Sequence, residues 1–186
     1  MRILVAYGTG TGQTRKIADF LAEHWRDQGH GVEVYDTSRP THGLQPASFD
    51  RIVVASSMRV GSYRPSVVKF VRRFADALER VPNAFVSVTL SAANADKDET
   101  EVELNKRDAR FIEKTGWVPD TIYHAAGGLP YTRYGMVTRW IMKRIAESVS
   151  DATDASRDYE FTDWAALGAF ADHFMATPSN VVHLAA

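Results

Sequence analysis

The chain has 186 residues, of which 45% are hydrophobic and 24% charged, and its formal net charge is −1. These values are typical of one globular domain with a core large enough to fold alone, and they give no reason to expect nucleic acid as a partner. The chain has no cysteine, which excludes disulfides and thiolate chemistry and indicates a reducing, cytoplasmic compartment. No apolar run reaches the ~20 residues that a membrane span needs, and the first apolar run begins at once, so no signal peptide is expected.

Apolar runs alternate with amphipathic segments along the chain. The patterns predict strands over residues 3–7, 32–36, 51–57, 84–89 and 121–127, and helices over residues 15–25, 65–78, 99–114, 136–149 and 162–175, the last capped by Thr162 or Asp163. Strands that alternate with helices indicate an α/β fold, a doubly wound parallel sheet of five strands with helices on both faces. We therefore predict a single domain over residues 1–177, with an extra helical segment after strand five and a loose tail over residues 178–186.

Glycines and threonines crowd the turn after the first strand, Gly8-Thr9-Gly10-Thr11-Gly12-Gln13-Thr14. A buried strand, a small-residue loop and a helix start form an anion-binding site, because their amide groups converge and the helix dipole adds about half a positive charge. Gln13 stands where a Walker A loop needs lysine and where the dinucleotide fingerprint needs its third glycine. The remaining pattern resembles the phosphate loop of flavodoxins, which holds the FMN phosphate without a cationic side chain. The alternative is an ordinary turn without a ligand.

The likeness to flavodoxins implies the strand order 2-1-3-4-5, with FMN at the carboxyl ends of strands one, three and four. The candidate cofactor-binding residues follow these strands and the fifth: Thr9, Gly10, Thr11, Gly12, Gln13, Thr14, Ser57, Met58, Arg59, Val60, Gly61, Tyr63, Thr89, Leu90, Ser91, Ala92, Gly127 and Gly128. A flat ring system needs apolar walls and a few polar edge contacts; Met58, Val60, Tyr63 and Leu90 are candidate walls, and Ser57, Gly61 and Ser91 candidate edge contacts. The alternative for each is a loop residue that only covers the sheet.

Several stretches, in order along nearly the whole chain, carry a more specific resemblance. They are Gly12-Gln13-Thr14-Arg15-Lys16-Ile17-Ala18, Ala55-Ser56-Ser57-Met58-Arg59-Val60-Gly61-Ser62-Tyr63, Trp117-Val118-Pro119-Asp120, Ala126-Gly127-Gly128-Leu129-Pro130-Tyr131-Thr132-Arg133-Tyr134 with Ile141-Met142-Lys143 after it, and Tyr159-Glu160-Phe161-Thr162-Asp163-Trp164. With these stretches the chain resembles the flavodoxin-like, menaquinone-dependent protoporphyrinogen IX dehydrogenases (oxidases) of bacteria. The resemblance implies an FMN oxidoreductase of haem biosynthesis that oxidises protoporphyrinogen IX to protoporphyrin IX in three two-electron steps and passes the electrons to a membrane quinone.

Neither a catalytic side chain nor a metal is expected, because the resemblance implies that the flavin N5 accepts the hydride. The six histidines show no ligand spacing, and His124, within the fifth strand, is interpreted as a core or sheet residue. The implied substrate is a large apolar ring with two propionates, and arginine is the side chain best shaped for carboxylates. The candidate substrate contacts are Arg59, Arg64 and Arg133, with Tyr63, Tyr131 and Tyr134 as stacking surfaces. The alternative for each arginine is ordinary surface charge.

The helix over residues 136–149 combines an apolar face that includes Trp140 with the cations Arg139, Lys143 and Arg144. Such a composition is typical of a helix that lies in a membrane interface, although the same face could pack on the sheet and leave the cations solvated. The pattern is compatible with peripheral contact at the inner face of the plasma membrane. A homo-oligomer is also compatible with the sequence.

Other functions stay open on the sequence alone. A flavodoxin-type electron carrier would use the same cofactor, but it needs only an exposed flavin edge and gives no reason for the long segment over residues 127–161. An NAD(P)H:quinone reductase would also hold FMN. A non-catalytic domain would bind FMN weakly or not at all.

Overall fold

The structure, a computed structural model, describes residues 1–59, 61–93, 97–129 and 158–177. The predicted helix over residues 136–149, the predicted tail over residues 178–186 and the predicted site residues Val60, Tyr131, Arg133 and Tyr134 lie outside the described residues. The strands are β1 (Arg2–Gly8), β2 (Gly31–Asp36), β3 (Arg51–Arg59), β4 (Ser62–Tyr63), β5 (Asn83–Thr89), β6 (Thr121–Ala126), β7 (Gly128–Leu129) and β8 (Tyr159–Glu160). The helices are α1 (Gln13–Asp27), α2 (Pro65–Glu79), α3 (Lys97–Thr115) and α4 (Trp164–Ala176), with 3-10 turns over Pro46–Ser48 and Leu90–Ala93.

Five parallel strands form the main sheet in the order β2-β1-β3-β5-β6, which is the order predicted for the five long strands. A further short strand was not predicted: β4 pairs antiparallel with the end of β3, with Met58 opposite Tyr63. β3 therefore runs on to Arg59, beyond its predicted end. β7 and β8 form a separate antiparallel ribbon. Because the long strands are parallel, the loops at their carboxyl ends lie along one edge of the sheet.

Alternate residues of the central strands face opposite sides of the sheet and bury two separate cores. In β1, Ile3 and Val5 belong to the core under α1 and α4, whereas Leu4 and Ala6 belong to the core under α2. All four side chains are fully buried. Burial on both faces explains why the central strands are continuous apolar runs. In β2, at the edge of the sheet, none of the six residues is buried: two are exposed and four are partly exposed.

A buried hydrogen bond joins α4 to α1, and a local cap defines where α4 begins. Trp25 of α1 is fully buried, and its indole Nε1 donates a hydrogen bond to the carbonyl of Ala171 at 3.3 Å. Asp163, one of the two predicted caps, precedes the helix, and its carboxylate accepts a hydrogen bond from the Ala166 amide at 2.9 Å. The last helix therefore begins where its sequence predicts. Within the described ranges, no helix has both the length and the apolarity to cross a membrane.

A buried polar network joins the β3–β4 hairpin to α3, β5 and β6 beside the core under α2. The Tyr63 hydroxyl donates to Asp108 Oδ1 of α3 at 2.8 Å and lies 2.9 Å from the hydroxyl of Ser87 on β5. Asp108 is 5% exposed, and its other oxygen lies 3.2 Å from His124 Nε2 on β6. Burial is the largest cause that raises the pKa of the Tyr63 hydroxyl far above its ordinary value. The hydroxyl thus stays protonated and serves as a donor to the carboxylate.

Tyr63 was predicted as a wall or a stacking surface for a bound ring, and that role stays a prediction. The Tyr63 ring packs edge-on against Phe85 and Phe111, with centroid distances of 5.0 and 4.9 Å. Only 7% of the residue is exposed, so most of its ring surface contacts the core. His124 pairs with Asp108 from within the sheet, which confirms its interpretation as a sheet residue.

Replacement of Tyr63 by phenylalanine is expected to lower the free energy of unfolding by about 1–3 kcal/mol, because Asp108 and Ser87 lose a buried hydrogen-bond partner. Urea denaturation measures the change. Tyr35→Phe is the matched control: its hydroxyl bonds the Pro40 carbonyl at an exposed site, so a change within about 0.5 kcal/mol is expected. Equal losses in the two variants would contradict a stabilising role for the network.

Candidate cofactor site

The loop over residues 9–12 joins β1 to α1 and leaves the start of the helix without a cap. Gly12 adopts φ 100°, a left-handed conformation that favours glycine, and its amide donates to Thr9 Oγ1 at 2.9 Å. The first hydrogen bond of the helix runs from the Lys16 amide to the Gly12 carbonyl at 3.1 Å. The amides of residues 13–15 therefore have no acceptor within the helix, and among the described residues no side-chain cap is found at this helix start. With no acidic residue in the first turn, this helix start is suited to bind an anion.

Thr14 supplies a further test of whether an oxyanion fits this loop. The residue is 1% exposed, and its Oγ1 is buried without a hydrogen-bond partner among the described residues. An unsatisfied buried hydroxyl costs about 1–3 kcal/mol. A phosphate oxygen at the helix start would accept from the uncapped amides and from such a hydroxyl, so these residues fit the phosphate of FMN.

Glycines let the neighbouring elements approach this loop closely. A Cβ built on Gly8 would lie 2.4 Å from Val67 Cγ2, so only glycine lets the end of β1 pack against α2 as it does. A Cβ built on Gly10 would lie 3.8 Å from the Ser57 hydroxyl and 3.4 Å from Arg64 Nη1. The structure thus brings the first two predicted loops together, because the register sets Gly8 beside Ser56 in the parallel pair of β1 and β3.

Arg64 lies at the phosphate loop, and its predicted role as a substrate contact stays a prediction. The loop was expected to hold phosphate without a cationic side chain, and Arg64 was expected among the substrate contacts. Its guanidinium lies against Gly10 of the phosphate loop. The contact arises because Arg64 immediately precedes α2, whose first turn packs on the end of β1.

The β3–β4 hairpin carries the second predicted loop. Ser57 and Met58 are half-buried at the end of β3, and Met58 packs against the core under α2. Gly61 makes the turn with φ 71°, outside the range that other residues readily adopt, and it is exposed. Arg59 is the last residue of β3. Ser57 lies beside Gly10 of the phosphate loop, and the contact of these residues with a flavin stays a prediction.

The third predicted loop follows β5 as the 3-10 turn Leu90–Ala93. Thr89 is 7% exposed, and its Oγ1 accepts from the Ser91 amide at 3.3 Å. The Ser91 hydroxyl accepts from Arg107 Nη1 of α3 at 3.1 Å, and Leu90, Ser91 and Ala92 are half-buried. The Gly127 amide donates to the Thr89 carbonyl at 3.1 Å, so the turn lies directly beside the end of β6. The Ser91 hydroxyl therefore already has a protein partner.

The β7–β8 ribbon docks on the first turn of α1, which sequence reasoning missed. Gln13 Nε2 donates to Thr162 Oγ1 at 2.9 Å, and Thr162 Oγ1 donates to the Ala126 carbonyl at 2.7 Å. Lys16 Nζ lies 2.6 Å from Glu160 Oε2. Gln13, a predicted cofactor contact, thus uses its side chain to connect helix and ribbon. The resemblance had marked residues 159–164 as a shared stretch, which was the available signal for their importance.

A cavity of about 410 Å³ lies between the phosphate loop and the ribbon. It is lined by Thr11, Gly12, Gln13, Lys16, Gly128, Asp158, Tyr159 and Glu160. A Cβ built on Gly128 would lie 3.1 Å from the Tyr159 carbonyl oxygen and 3.3 Å from Gln13 Oε1. The glycine therefore lets the ribbon approach α1 closely enough to form this wall of the cavity.

Comparisons with known proteins agree with this arrangement. A family model described as a flavodoxin domain matches residues 4–156. The protoporphyrinogen IX dehydrogenase (quinone) of Escherichia coli (strain K12) is 32% identical over 171 residues, which cover 92% of this chain and 93% of the relative. The protein of the same name from Leishmania major is 28% identical over 97% of this chain and 77% of its own length. The solved flavodoxin of Streptococcus pneumoniae TIGR4 is 17% identical, with a TM-score of 0.52 over 95% of this chain and 99% of that chain.

The chain is a flavodoxin-domain protein, the class whose cofactor is FMN. Within that class, it belongs to the family of the protoporphyrinogen IX dehydrogenases (quinone), with which it is collinear over nearly its full length. Both the fold and the family predicted from the sequence are confirmed.

The ion pair of Lys16 and Glu160 is expected to make ribbon docking depend on pH. The hydrogen bond from Lys16 is the largest cause that lowers the pKa of the Glu160 carboxyl. A carboxyl with a lower pKa in the folded chain adds stability above its unfolded pKa and loses it as the pH falls through the folded pKa. Glu160→Gln should therefore cost about 0.2–1 kcal/mol in unfolding free energy at pH 7, and the difference should vanish in acid.

Urea denaturation of both proteins between pH 7 and pH 3 measures this effect. Asp19→Asn is the matched control, because it removes a carboxylate from a more exposed ion pair with Arg15 on the same helix. A Glu160→Gln deficit that persists unchanged at pH 3 would show that the charge of Glu160 is not its cause.

Proposed function

We propose that this chain binds FMN at the phosphate loop and oxidises protoporphyrinogen IX to protoporphyrin IX, with a quinone as electron acceptor. The assignment of protoporphyrinogen IX as the substrate rests on the match to a protoporphyrinogen IX dehydrogenase (quinone) over nine-tenths of both chains. The observation that supports the cofactor is an uncapped helix start beside a buried, unpartnered threonine hydroxyl. Bound FMN would supply the two-electron acceptor, so three turnovers and three quinones account for the six electrons removed from one substrate molecule.

The protein's own part in this reaction is to bind and orient. The amides of residues 13–15 and the hydroxyl of Thr14 would hold the phosphate, which anchors one end of the cofactor. Ser57 and Met58 extend along the neighbouring strand end and are proposed contacts for the ring. Fixed geometry of this kind lowers the entropic cost of bringing the reacting groups together.

Thr14→Val tests the cofactor site because it should change apo stability and FMN affinity in opposite directions. Removal of a buried, unpartnered hydroxyl is expected to leave the unfolding free energy of the apo protein unchanged or to raise it by about 1 kcal/mol. The same change should weaken FMN binding by about tenfold, because one donor to the phosphate is lost. Flavin fluorescence titration and urea denaturation of the apo protein give the two numbers.

Thr37→Val is the control for the Thr14 variant, since the Thr37 hydroxyl is also buried but already donates to the Tyr7 carbonyl at 3.0 Å. This variant should lose stability and keep its intrinsic FMN affinity. If Thr14→Val leaves the FMN dissociation constant unchanged, Thr14 is no part of the site.

The activity itself is tested with the FMN-loaded protein and anaerobically prepared protoporphyrinogen IX. Porphyrin fluorescence should appear when a menaquinone analogue is added and should stay at background without it. Arg59→Ala and Arg133→Ala are each expected to raise the KM for protoporphyrinogen about tenfold at equal FMN occupancy, because each would remove a carboxylate contact. Arg72→Ala, at an exposed arginine of α2, is the matched control.

These assays also separate the other candidate functions. Unchanged KM values in both arginine variants would remove the proposed substrate contacts. An electron carrier would hold FMN but turn over neither protoporphyrinogen nor quinone alone. Rapid loss of flavin absorbance on mixing with NADPH would favour a quinone reductase, and a purified protein that takes up no FMN would favour a non-catalytic domain.

Membrane contact and self-association are further proposals that come from the sequence alone. A quinone acceptor within a bilayer favours peripheral contact, for which the predicted helix over residues 136–149 supplies apolar and basic residues. That helix lies outside the described residues. Co-sedimentation with lipid vesicles and light scattering measure membrane contact and oligomeric state respectively.

A further inference from the structure

We propose that Arg64 gives this phosphate loop a cation, and that its guanidinium binds the FMN phosphate and selects FMN over unphosphorylated riboflavin. The inference rests on the proposed cofactor. It concerns one side chain of this chain and assigns that side chain to the phosphate rather than to the substrate.

The Arg64 side chain runs along the phosphate loop from its strand end to its middle. A Cβ built on Gly8, the last residue of β1, would lie 3.2 Å from the Cβ of Arg64. A Cβ built on Gly10 would lie 3.4 Å from Nη1 and 3.9 Å from Cζ of the same arginine. The base of the side chain is thus beside the end of the strand, and its charged group is beside the loop. Since neither glycine has a side chain, nothing from these two positions separates the guanidinium from the loop backbone.

The backbone of Arg64 is fixed, which determines where the side chain starts. Its amide donates to the Ser56 hydroxyl at 3.2 Å. Its carbonyl accepts from the Val67 and Val68 amides at 3.0 and 3.1 Å, so Arg64 is the residue that precedes the first turn of α2. The side chain takes no part in capping that helix. A substitution at Arg64 therefore removes the guanidinium and leaves the backbone contacts available.

The charge of Arg64 has no carboxylate partner in the described part of the chain. The two other cations at the start of α1 are paired there, Lys16 with Glu160 and Arg15 with Asp19. No ion pair or side-chain hydrogen bond of the Arg64 guanidinium occurs among the described residues, although the residue is half-buried. A partly desolvated cation gains free energy when it meets a counter-charge. An oxyanion at the uncapped amides of residues 13–15 would provide that charge.

The phosphate of FMN matches the chemistry and the location better than a substrate carboxylate does. A phosphate monoester carries close to two negative charges at neutral pH, and guanidinium binds phosphate oxygens through paired, charge-assisted hydrogen bonds. The uncapped amides and the Thr14 hydroxyl already define where an oxyanion fits. Arg64 lies against the same loop, so it adds charge at that point.

The test compares FMN with riboflavin, because the two flavins differ only in the phosphate. Dissociation constants for both are measured by fluorescence titration of the wild type, Arg64→Met and Arg64→Lys. Arg64→Met should weaken FMN binding by about 10- to 100-fold and change riboflavin binding less than twofold. Arg64→Lys should recover part of the loss, since it keeps the charge without the planar fork. Added salt should weaken FMN binding more in the wild type than in Arg64→Met.

Arg80→Met is the matched control, because it removes an exposed arginine from the other end of α2. It should leave both dissociation constants unchanged. Equal weakening of FMN and riboflavin by Arg64→Met, or no weakening of either, would overturn the inference while the cofactor proposal stands. A variant that keeps its FMN affinity but shows a higher KM for protoporphyrinogen would also overturn it and return Arg64 to the substrate. A wild type that binds neither flavin would refute the cofactor proposal itself, and this inference with it.

Discussion

The unsatisfied start of α1 is the constraint on which the carboxyl edge of this sheet depends. A helix leaves its first amides without partners, and this chain places no side-chain cap there. The start of the helix nevertheless lies against other elements, with α2 on one side and the β7–β8 ribbon on the other. Backbone amides that lie between packed elements without a hydrogen-bond acceptor are unfavourable, unless a ligand supplies the acceptor. Their persistence here, together with the buried Thr14 hydroxyl, is the physical basis for assigning an anion to this position.

The elements around the loop are held by contacts that do not involve the amides themselves. Gly8 lets β1 approach Val67 of α2, and Gly128 lets the ribbon approach Gln13. The side-chain amide of Gln13 and the hydroxyl of Thr162 then connect α1, the segment after the ribbon and the end of β6. Because these contacts use side chains and glycine gaps, the amides of residues 13–15 are left for a ligand. Contacts that hold the loop in place reduce the ordering cost of binding.

Stability and site geometry are coupled through the β3–β4 hairpin. Ser57 and Met58 lie on its outgoing strand, and Tyr63 on its returning strand inserts into the aromatic core. The hydroxyl of Tyr63 reaches Asp108, which in turn meets His124 in β6. Because these contacts of Tyr63 are buried, the hairpin has little freedom to shift relative to the phosphate loop. The strand end that carries Ser57 and Met58 therefore depends on the buried network of Tyr63.

Sequence alone determined the architecture because the architecture follows from local patterns. Continuous apolar runs such as Ile3 to Ala6 are required when both faces of a parallel strand are buried. The glycine–threonine turn before Thr14 indicated the anion site without any neighbour, since a strand, a small-residue loop and a helix start are enough to converge the amides.

Only the tertiary structure decided which side chains surround that site. The packing of α2 on β1 set Arg64 beside Gly10, and the register of the short strand β4 turned Tyr63 into the core. The ribbon joined Glu160 to Lys16 across most of the chain length. Some of these contacts join segments that are distant in sequence, and others depend on the direction of a side chain after a turn. The periodicity of apolar residues predicts neither long-range contacts nor side-chain directions.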